Sequence, residues 1–549
     1  MLRKVRNLKA FLPEIEEIVT DRYDCDAVIG WGRKSSSTKA IHTANTLGVP
    51  YIAIEDGFLR SLDLGVNGEQ PLSLVVDRTG IYYDASEPSD IERMIADAPE
   101  LSTESKERAA QVMTRIRQAR LSKYNHADDR PLSPHTLHRP RILLVDQTLN
   151  DASVSCGMAS ETSFRRMMEA AIDENPDAEI LIKTHPDVLA GKKSGYLASV
   201  SLHPNCRVIS EDINPWALFS TVSKVYVVTS QLGIEALFAG LPVRCFGMPF
   251  YAGWGLTIDD LACSRRVARP NLVELFAAAY MSYARYIDPF TNELTDIENT
   301  IDTLTLWKQH NDRNAGATVA VGFSSWKRKQ VSRFLRSTRG KVYFIRNPHR
   351  AIAVAKKHKA RIITWASKTP PGLEATAQAA GITVARMEDG FVRSVGLGAQ
   401  FTPAYSLVLD KRGLYFDPRR ESDLEYILST TTFDDRLLRR AAALRELIVS
   451  TGVSKYNVGD GTVELPGASR TILVPGQVED DQSVLVGCKD IKSNLALLQA
   501  ARAAEPNATI VFKPHPDVES GLRKGFVSEK EARQYADLIV TGVSITDLL

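Results

Sequence analysis

Four short polar strings in this chain carry residue types able to do chemistry. Gln147-Thr148-Leu149-Asn150-Asp151 follows an apolar run and ends on a carboxylate. An aspartate at the mouth of a nucleotide crevice can attack an anomeric carbon, and splitting one displacement into two keeps the configuration of the sugar. The plainer reading of Asp151 is an Asx turn or helix cap, because a loop follows it. Glu55-Asp56-Gly57-Phe58-Leu59-Arg60-Ser61 offers Glu55 as the base that takes a proton from an acceptor hydroxyl, and Arg60 as partner for an anionic sugar carboxylate. Asp56 and Gly57 read as turn residues. In Lys183-Thr184-His185-Pro186 the histidine is held extended by the proline, so Lys183 and His185 can neutralise and hydrogen-bond a phosphate. Thr229-Ser230-Gln231-Leu232-Gly233-Ile234-Glu235 opens a helix whose free amides suit a nucleotide phosphate. There Ser230 would face the phosphate. Glu235 would accept from ribose hydroxyls, or would simply complement the helix dipole.

Three of these strings occur twice. Glu55 and Arg60 return as Glu388 and Arg393, Gln147 and Asp151 as Gln477 and Asp481, and Lys183 and His185 as Lys513 and His515. The offset stays between about 330 and 334 residues, far too long for a solenoid repeat. Core strands can drift while staying apolar, so polar letters kept in register mark a site that each copy inherited. The repeat also selects within the acidic string: Asp146 and Asn150 become Gly476 and Asp480, whereas Asp151 stays aspartate. Asp77, Asp84, Lys123 and Tyr124 recur as well, while Tyr82 and Tyr83 read as core aromatics.

Positioning such strings requires strands that end in polar turns. Residues 26–32, 49–57, 141–147, 178–186, 206–210 and 224–230 are short and rich in Val and Ile, and they end in polar letters, as buried parallel strands do. Segments such as 161–176 between them carry helical spacing. The alternation predicts an α/β fold whose ligands bind at the carboxyl ends of the strands. Polar, proline-rich stretches at 126–140, 311–316 and 459–467 divide the chain into Rossmann-like domains at 1–130, 131–312, 313–465 and 466–549. The reading is two tandem modules of two such domains each. Residues 1–13 are expected to form a helix equivalent to that at 326–335. Residues 544–549 align with 214–219, so the second copy is expected to be incomplete, catalytically silent and least stable after about Gly467.

Bulk properties exclude several classes. A formal charge of +2 argues against a nucleic-acid binder acting through bulk charge. Apolar runs fall far short of the roughly 20 residues of a membrane span, and Met1 leads directly into a basic stretch, so a cytoplasmic location is expected. The six cysteines lack CxxC spacing and read as reduced structural residues. No convincing DxD-type metal motif is present, so transfer without a metal or cofactor is expected.

Taken together, EDGFLRSLDLGVNG, SLVVDRTGIYYDAS, LSKYN, DQTLND, HPDV, TSQLGIEAL and CFGMPFYAGWGLT resemble the KpsC (LipA-type) family of capsule polysaccharide β-Kdo transferases. The resemblance implies tandem GT-B-like modules that use CMP-β-Kdo, retain the β configuration, and build a β-2,4/β-2,7 poly-Kdo linker on lyso-phosphatidylglycerol. It places the 2,4 activity in the first copy and the 2,7 activity in the second. It further implies peripheral contact with the inner membrane and work beside capsule export machinery. By the same resemblance Asp151, His185, Glu55, Ser230 and Glu235 take the family's site positions, with Asp481, His515 and Glu388 in the second copy. A cytidine-nucleotide glycerophosphotransferase of GT-B fold and a noncatalytic Kdo-binding scaffold are the alternatives.

Overall fold

The computed structural model of the chain describes residues 2–20, 24–33, 37–130, 132, 139–184, 188, 194–197, 204–209, 211–464 and 470–549. Two compact units divide it, Met1–Arg313 and Asn314–Leu549. Each unit holds two α/β lobes, the tandem arrangement that the repeat predicts.

In the second lobe of the first unit, β4 (Arg141–Val145), β5 (Glu179–Lys183), β6 (Cys206–Ile209), β7 (Lys224–Val227), β8 (Val243–Cys245) and β9 (Ile258–Asp259) form one parallel sheet ordered β6-β5-β4-β7-β8-β9. Leu143 and Leu144 point to opposite faces of β4 and neither is exposed, which is why that strand reads as an unbroken apolar run. This is the doubly wound order, and its reversal between β4 and β7 opens a crevice beyond their carboxyl ends. The strings at 147–151 and 229–235 begin at those two ends.

The first lobe is mixed. Here β1 (Val28–Trp31) and β2 (Tyr51–Asp56) are parallel, while β3 (Ser73–Asp77), β10 (Ala284–Ile287) and β11 (Leu294–Thr295) add antiparallel partners in the order β1-β2-β3-β10-β11. Residues 284–313, placed with the second lobe by sequence, thus return to the first. Helix Ile297–Arg313 lies on helix Thr103–Ala119, joined by Arg108–Glu298 at 2.7 Å and Arg115–Asp302 at 2.8 Å. The expected helix at 1–13 is replaced by two 3₁₀ turns, Leu2–Lys4 and Leu8–Phe11. The second turn and its exit bring Leu8, Phe11 and Leu12 together into the core under β1–β3.

An aromatic hub joins the lobes. Phe58 from the turn after β2 meets Phe250 of the second lobe at 4.9 Å, Tyr280 of the helical segment Ala277–Tyr283 at 5.0 Å, and Tyr82 at 5.2 Å, with no exposure of its own.

In the second unit, β12 (Gly316–Val321), β13 (Gly340–Ile345), β14 (Arg361–Trp365), β15 (Val384–Asp389) and β16 (Leu407–Asp410) form a sheet ordered β13-β12-β14-β15-β16. Strands β17 (Thr471–Pro475), β18 (Thr509–Lys513) and β19 (Leu538–Ile539) form a parallel sheet that matches β4-β5-β6. Phe391, the counterpart of Phe58, touches Tyr415 at 5.0 Å but is 60% exposed.

The two phenylalanines therefore differ in worth. Phe58→Ala is expected to destabilise the first unit by roughly 3–5 kcal/mol, whereas Phe391→Ala should cost the second unit under about 1 kcal/mol. Hydrogen exchange of the Tyr51–Asp56 and Val384–Asp389 backbones in urea measures each unit separately.

Candidate active site

A cavity of about 570 Å³ lies between the lobes of the first unit, walled by Glu55, Arg60 and Lys123 on one side and Asp151, Ser230 and Glu235 on the other. Its floor is the switch point. There Gln147 ties the ends of β4 and β7 together: its Nε2 donates to Thr229 Oγ1 at 3.0 Å, and its Oε1 accepts from the Thr229 amide at 2.9 Å. Both groups of a buried amide are thus satisfied by one neighbour, which fixes where the two loops leave the sheet. Gln147 positions the site; it does not present a reactive group to it.

Asp151 leaves that floor at the start of helix Ala152–Cys156. Its Oδ1 accepts from the Ser153 amide at 3.0 Å, so the carboxylate is both a helix cap and part of the cavity wall. The cap restricts rotation about χ1 without closing off the other oxygen. Cap and site are one geometry here, not rival readings.

Glu55 ends β2 on the opposite wall and is buried. Gly32, at φ +52°, brings bare backbone against it: a Cβ there would lie 2.9 Å from Glu55 Oε2 and 2.1 Å from the Tyr83 hydroxyl. Tyr82 stands between the two walls. Burial raises its phenol well above the ordinary value, and the negative charges of Glu55, Asp56 and Asp151 add to the shift. One hydroxyl therefore feels both candidate carboxylates. The second unit repeats the relation directly: burial pushes Glu388 up to about 7, and the charges of Asp389 and Asp481 push the same way. Asp481 caps helix Gln482–Gly487 as Asp151 caps its own.

Other expected ligands are committed to structure. Arg60 donates from Nε to Asp56 at 2.7 Å and from Nη1 to Ser61 Oγ and the Glu69 carbonyl, and Arg393 pairs with Asp389 and Ser394 in the same way. Lys183 is buried with Nζ donating to the Ile213 carbonyl at 3.1 Å; burial lowers its pKa, against the pull of Asp212 and Glu235. Lys513 stands 3.6 Å from Glu519. His185 lies outside the described residues. In the second unit His515 caps helix Pro516–Glu519 through Nδ1, and burial lowers its pKa.

Ser230 ends the loop after β7, and its Oγ accepts from the Leu232 amide at 3.3 Å. The Tyr251 hydroxyl donates to its carbonyl, and only glycine fits at 233, where a Cβ would sit 2.1 Å from that hydroxyl. Glu235, in the first turn of helix Leu232–Phe238, faces the other lobe. Its Oε2 accepts from Ser122 Oγ at 2.7 Å and its Oε1 from the Lys123 amide at 3.3 Å. Burial raises Glu235 to about 7 despite these bonds.

Sequence reasoning passed over Tyr82, Ser122 and Thr229. The signal for the first was available: Tyr82-Tyr83 becomes Tyr415-Phe416, so only the first hydroxyl survives the repeat. Among the described residues no cluster of three or more metal-ligating side chains occurs, and no helix is long and apolar enough to cross a membrane.

Comparison with known proteins identifies relatives. The profile of a family described as capsule polysaccharide biosynthesis protein matches residues 26–286, 360–457 and 442–549. Capsule polysaccharide modification protein LipA of Neisseria meningitidis serogroup B is 43% identical over 554 residues, covering 98% of this chain and 77% of that protein. Lipopolysaccharide-processing protein LpsZ of Rhizobium meliloti is 39% identical over 305 residues, 54% of this chain and 67% of LpsZ. A solved structure of Thermosulfurimonas dismutans KpsC, a β-Kdo 2,4 transferase, is 46% identical with a TM-score of 0.53, over 55% of this chain and 95% of that one.

The raised Glu235 has a measurable consequence. Its folded pKa lies above the ordinary 4.5, so the uncharged acid lends stability that is complete below about pH 4.5 and is lost as pH climbs through 7. Relative to Glu235→Gln, the native chain should lose roughly 3 kcal/mol between those limits. Urea unfolding of both proteins across that range checks it.

Proposed function

The chain belongs to the capsule polysaccharide biosynthesis protein family, and from that premise we propose that its first unit is a retaining β-Kdo transferase. The donor is CMP-β-Kdo, and the acceptor is a Kdo-bearing lyso-phosphatidylglycerol at the inner-membrane surface. The likeness to a β-Kdo 2,4 transferase supports the 2,4 linkage for this unit. Work on a lipid-borne acceptor would make the chain a peripheral cytoplasmic partner of capsule assembly and export.

One observation carries the reading. Asp151 and Glu55 line a single cavity from opposite lobes, and the second unit repeats the pair as Asp481 and Glu388. A capped aspartate above a nucleotide switch point suits attack on C2 of the donor. In the first step the carboxylate oxygen bonds to C2, the C2–O bond to phosphate breaks, and CMP leaves with the electron pair. In the second, Glu55 takes the proton from the acceptor hydroxyl, whose oxygen bonds to C2 while the aspartyl ester breaks. Two inversions restore the β configuration. The counterpart of Glu55, Glu388, is raised to about 7 by burial, the direction that suits a general base. Helix Leu232–Phe238, opening at Ser230, offers amides to the phosphate. The alternative glycerophosphotransferase reading requires no such nucleophile.

Asp151→Asn is expected to cut turnover by roughly 10³-fold or more while leaving CMP binding within about twofold, since the amide keeps the helix cap. Transfer of Kdo by this variant at the native rate contradicts the reading. Chromatographic assay of CMP release with CMP-Kdo and a synthetic β-Kdo acceptor provides the measurement.

A further inference from the structure

The tetrapeptide Ser122-Lys123-Tyr124-Asn125 returns unchanged as Ser454-Lys455-Tyr456-Asn457, and nothing above uses its two central side chains. The turn is built by the outer two residues. Ser122 N donates to Asn125 Oδ1 at 2.9 Å, and Asn125 Nδ2 donates to the Ser61 and Ser122 carbonyls at 3.0 and 2.9 Å. The second unit repeats this with Ser454 N to Asn457 Oδ1 at 2.8 Å, and Asn457 Nδ2 to the Ser394 and Ser454 carbonyls, both at 2.9 Å. To the turn itself the lysine contributes main chain: its carbonyl accepts from the amides of Arg60 and Ser61 in one unit and of Arg393 and Ser394 in the other, while its ammonium lies 6.0 Å from the Tyr124 ring centroid and that of Lys455 5.4 Å from the Tyr456 ring centroid. Any residue could supply those bonds. The turn's hydrogen bonds therefore do not by themselves require a lysine at this position in both copies.

Lys123 and Tyr124 both lie on the wall of the interlobe cavity. Lys123 is half-buried; among the described residues its ammonium has no carboxylate within salt-bridge distance, and its charge acts on Glu235 across the seam. The other cations placed for a phosphate are already engaged, Lys183 with a carbonyl and Arg60 with Asp56, while Lys4 is exposed. In the second unit the turn faces the His-Pro element: the Tyr456 ring meets the His515 ring edge-on at 5.8 Å, and the charges of Lys455 and Asp481 both act on that imidazole. The turn thus looks toward the capped aspartate from across the cleft, in the direction where a leaving phosphate would lie.

We infer that Lys123 binds the donor's phosphate from the acceptor lobe, opposite Ser230, so that a bound cytidine nucleotide bridges the two lobes. The inference rests on the nucleotide-sugar reading of the cavity. Ser122 and the Lys123 amide already hold Glu235 of the donor lobe, so the ammonium is anchored one residue from the seam and needs no domain movement to reach the cavity. A lysine serves here as a compact point charge, strengthened by the low dielectric of the cleft.

The test is calorimetric titration of the full chain with CMP and, separately, with cytidine, for the native protein, Lys123→Met and Lys123→Arg. Lys123→Met is expected to weaken CMP about tenfold or more and leave cytidine unchanged, and Lys123→Arg is expected to recover most of the loss. Native affinity for CMP in Lys123→Met overturns the assignment, and so does an equal loss for CMP and cytidine, which would mark a purely structural role. A native chain that binds neither ligand overturns the nucleotide-sugar reading itself, and this inference with it.

Discussion

A buried carboxylate at the lobe seam is the constraint on which the first unit depends. Glu235 leaves one lobe and accepts hydrogen bonds from Ser122 and Lys123 of the other, in surroundings dry enough to raise it to about 7. Such a group is costly to bury and costlier to leave unpaired, so the two lobes are held in one register. With that register fixed, Asp151 and Glu55 face one cavity instead of two separate sheet ends. The aromatic hub around Phe58 supplies the apolar half of the same seam.

The second unit acts as an internal comparison. It keeps the Asp481 cap, the raised Glu388, the Arg393–Asp389 pair and the Ser-Lys-Tyr-Asn turn, all of which are built from elements present in both units. It differs where the first unit draws on β7 and the helix after it. Gln147 clasps Thr229, whereas Gln477 is exposed; Phe58 is sealed, whereas Phe391 is open. Features that need one lobe alone survive in both units. Among the described residues, the clasp of Gln147 on Thr229 and the sealing of Phe58 belong to the first.

Much of this was legible in the residues. The strands beginning near 141, 179 and 224 follow from unbroken apolar runs, and the polar letters at their ends mark where the cavity opens. The antiparallel return of β10 was not legible, because Ala284–Ile287 carries no feature that says which sheet it will join. The 3₁₀ turns at 2–11 escaped for a similar reason, since the spacing of Leu8, Phe11 and Leu12 also satisfies a helix. Within the site, the repeat singled out Asp151, which lies with Glu55 on the cavity wall, from its acidic neighbours. It could not reveal that Gln147, Arg60 and Lys183 spend their polar atoms on the protein itself. A recurring polar letter marks a constraint, and whether it is a ligand or a brace depends on contacts far apart in sequence.

The account centres on a covalent bond between Asp151 and the sugar. Glu55→Gln, which keeps the wall but removes the base, should stall the second displacement. Mass spectrometry of peptides from this variant after incubation with CMP-Kdo tests the claim most directly. One Kdo on the peptide that contains Asp151 is the predicted result; CMP release with that peptide unmodified, or Kdo carried on another residue, would contradict it.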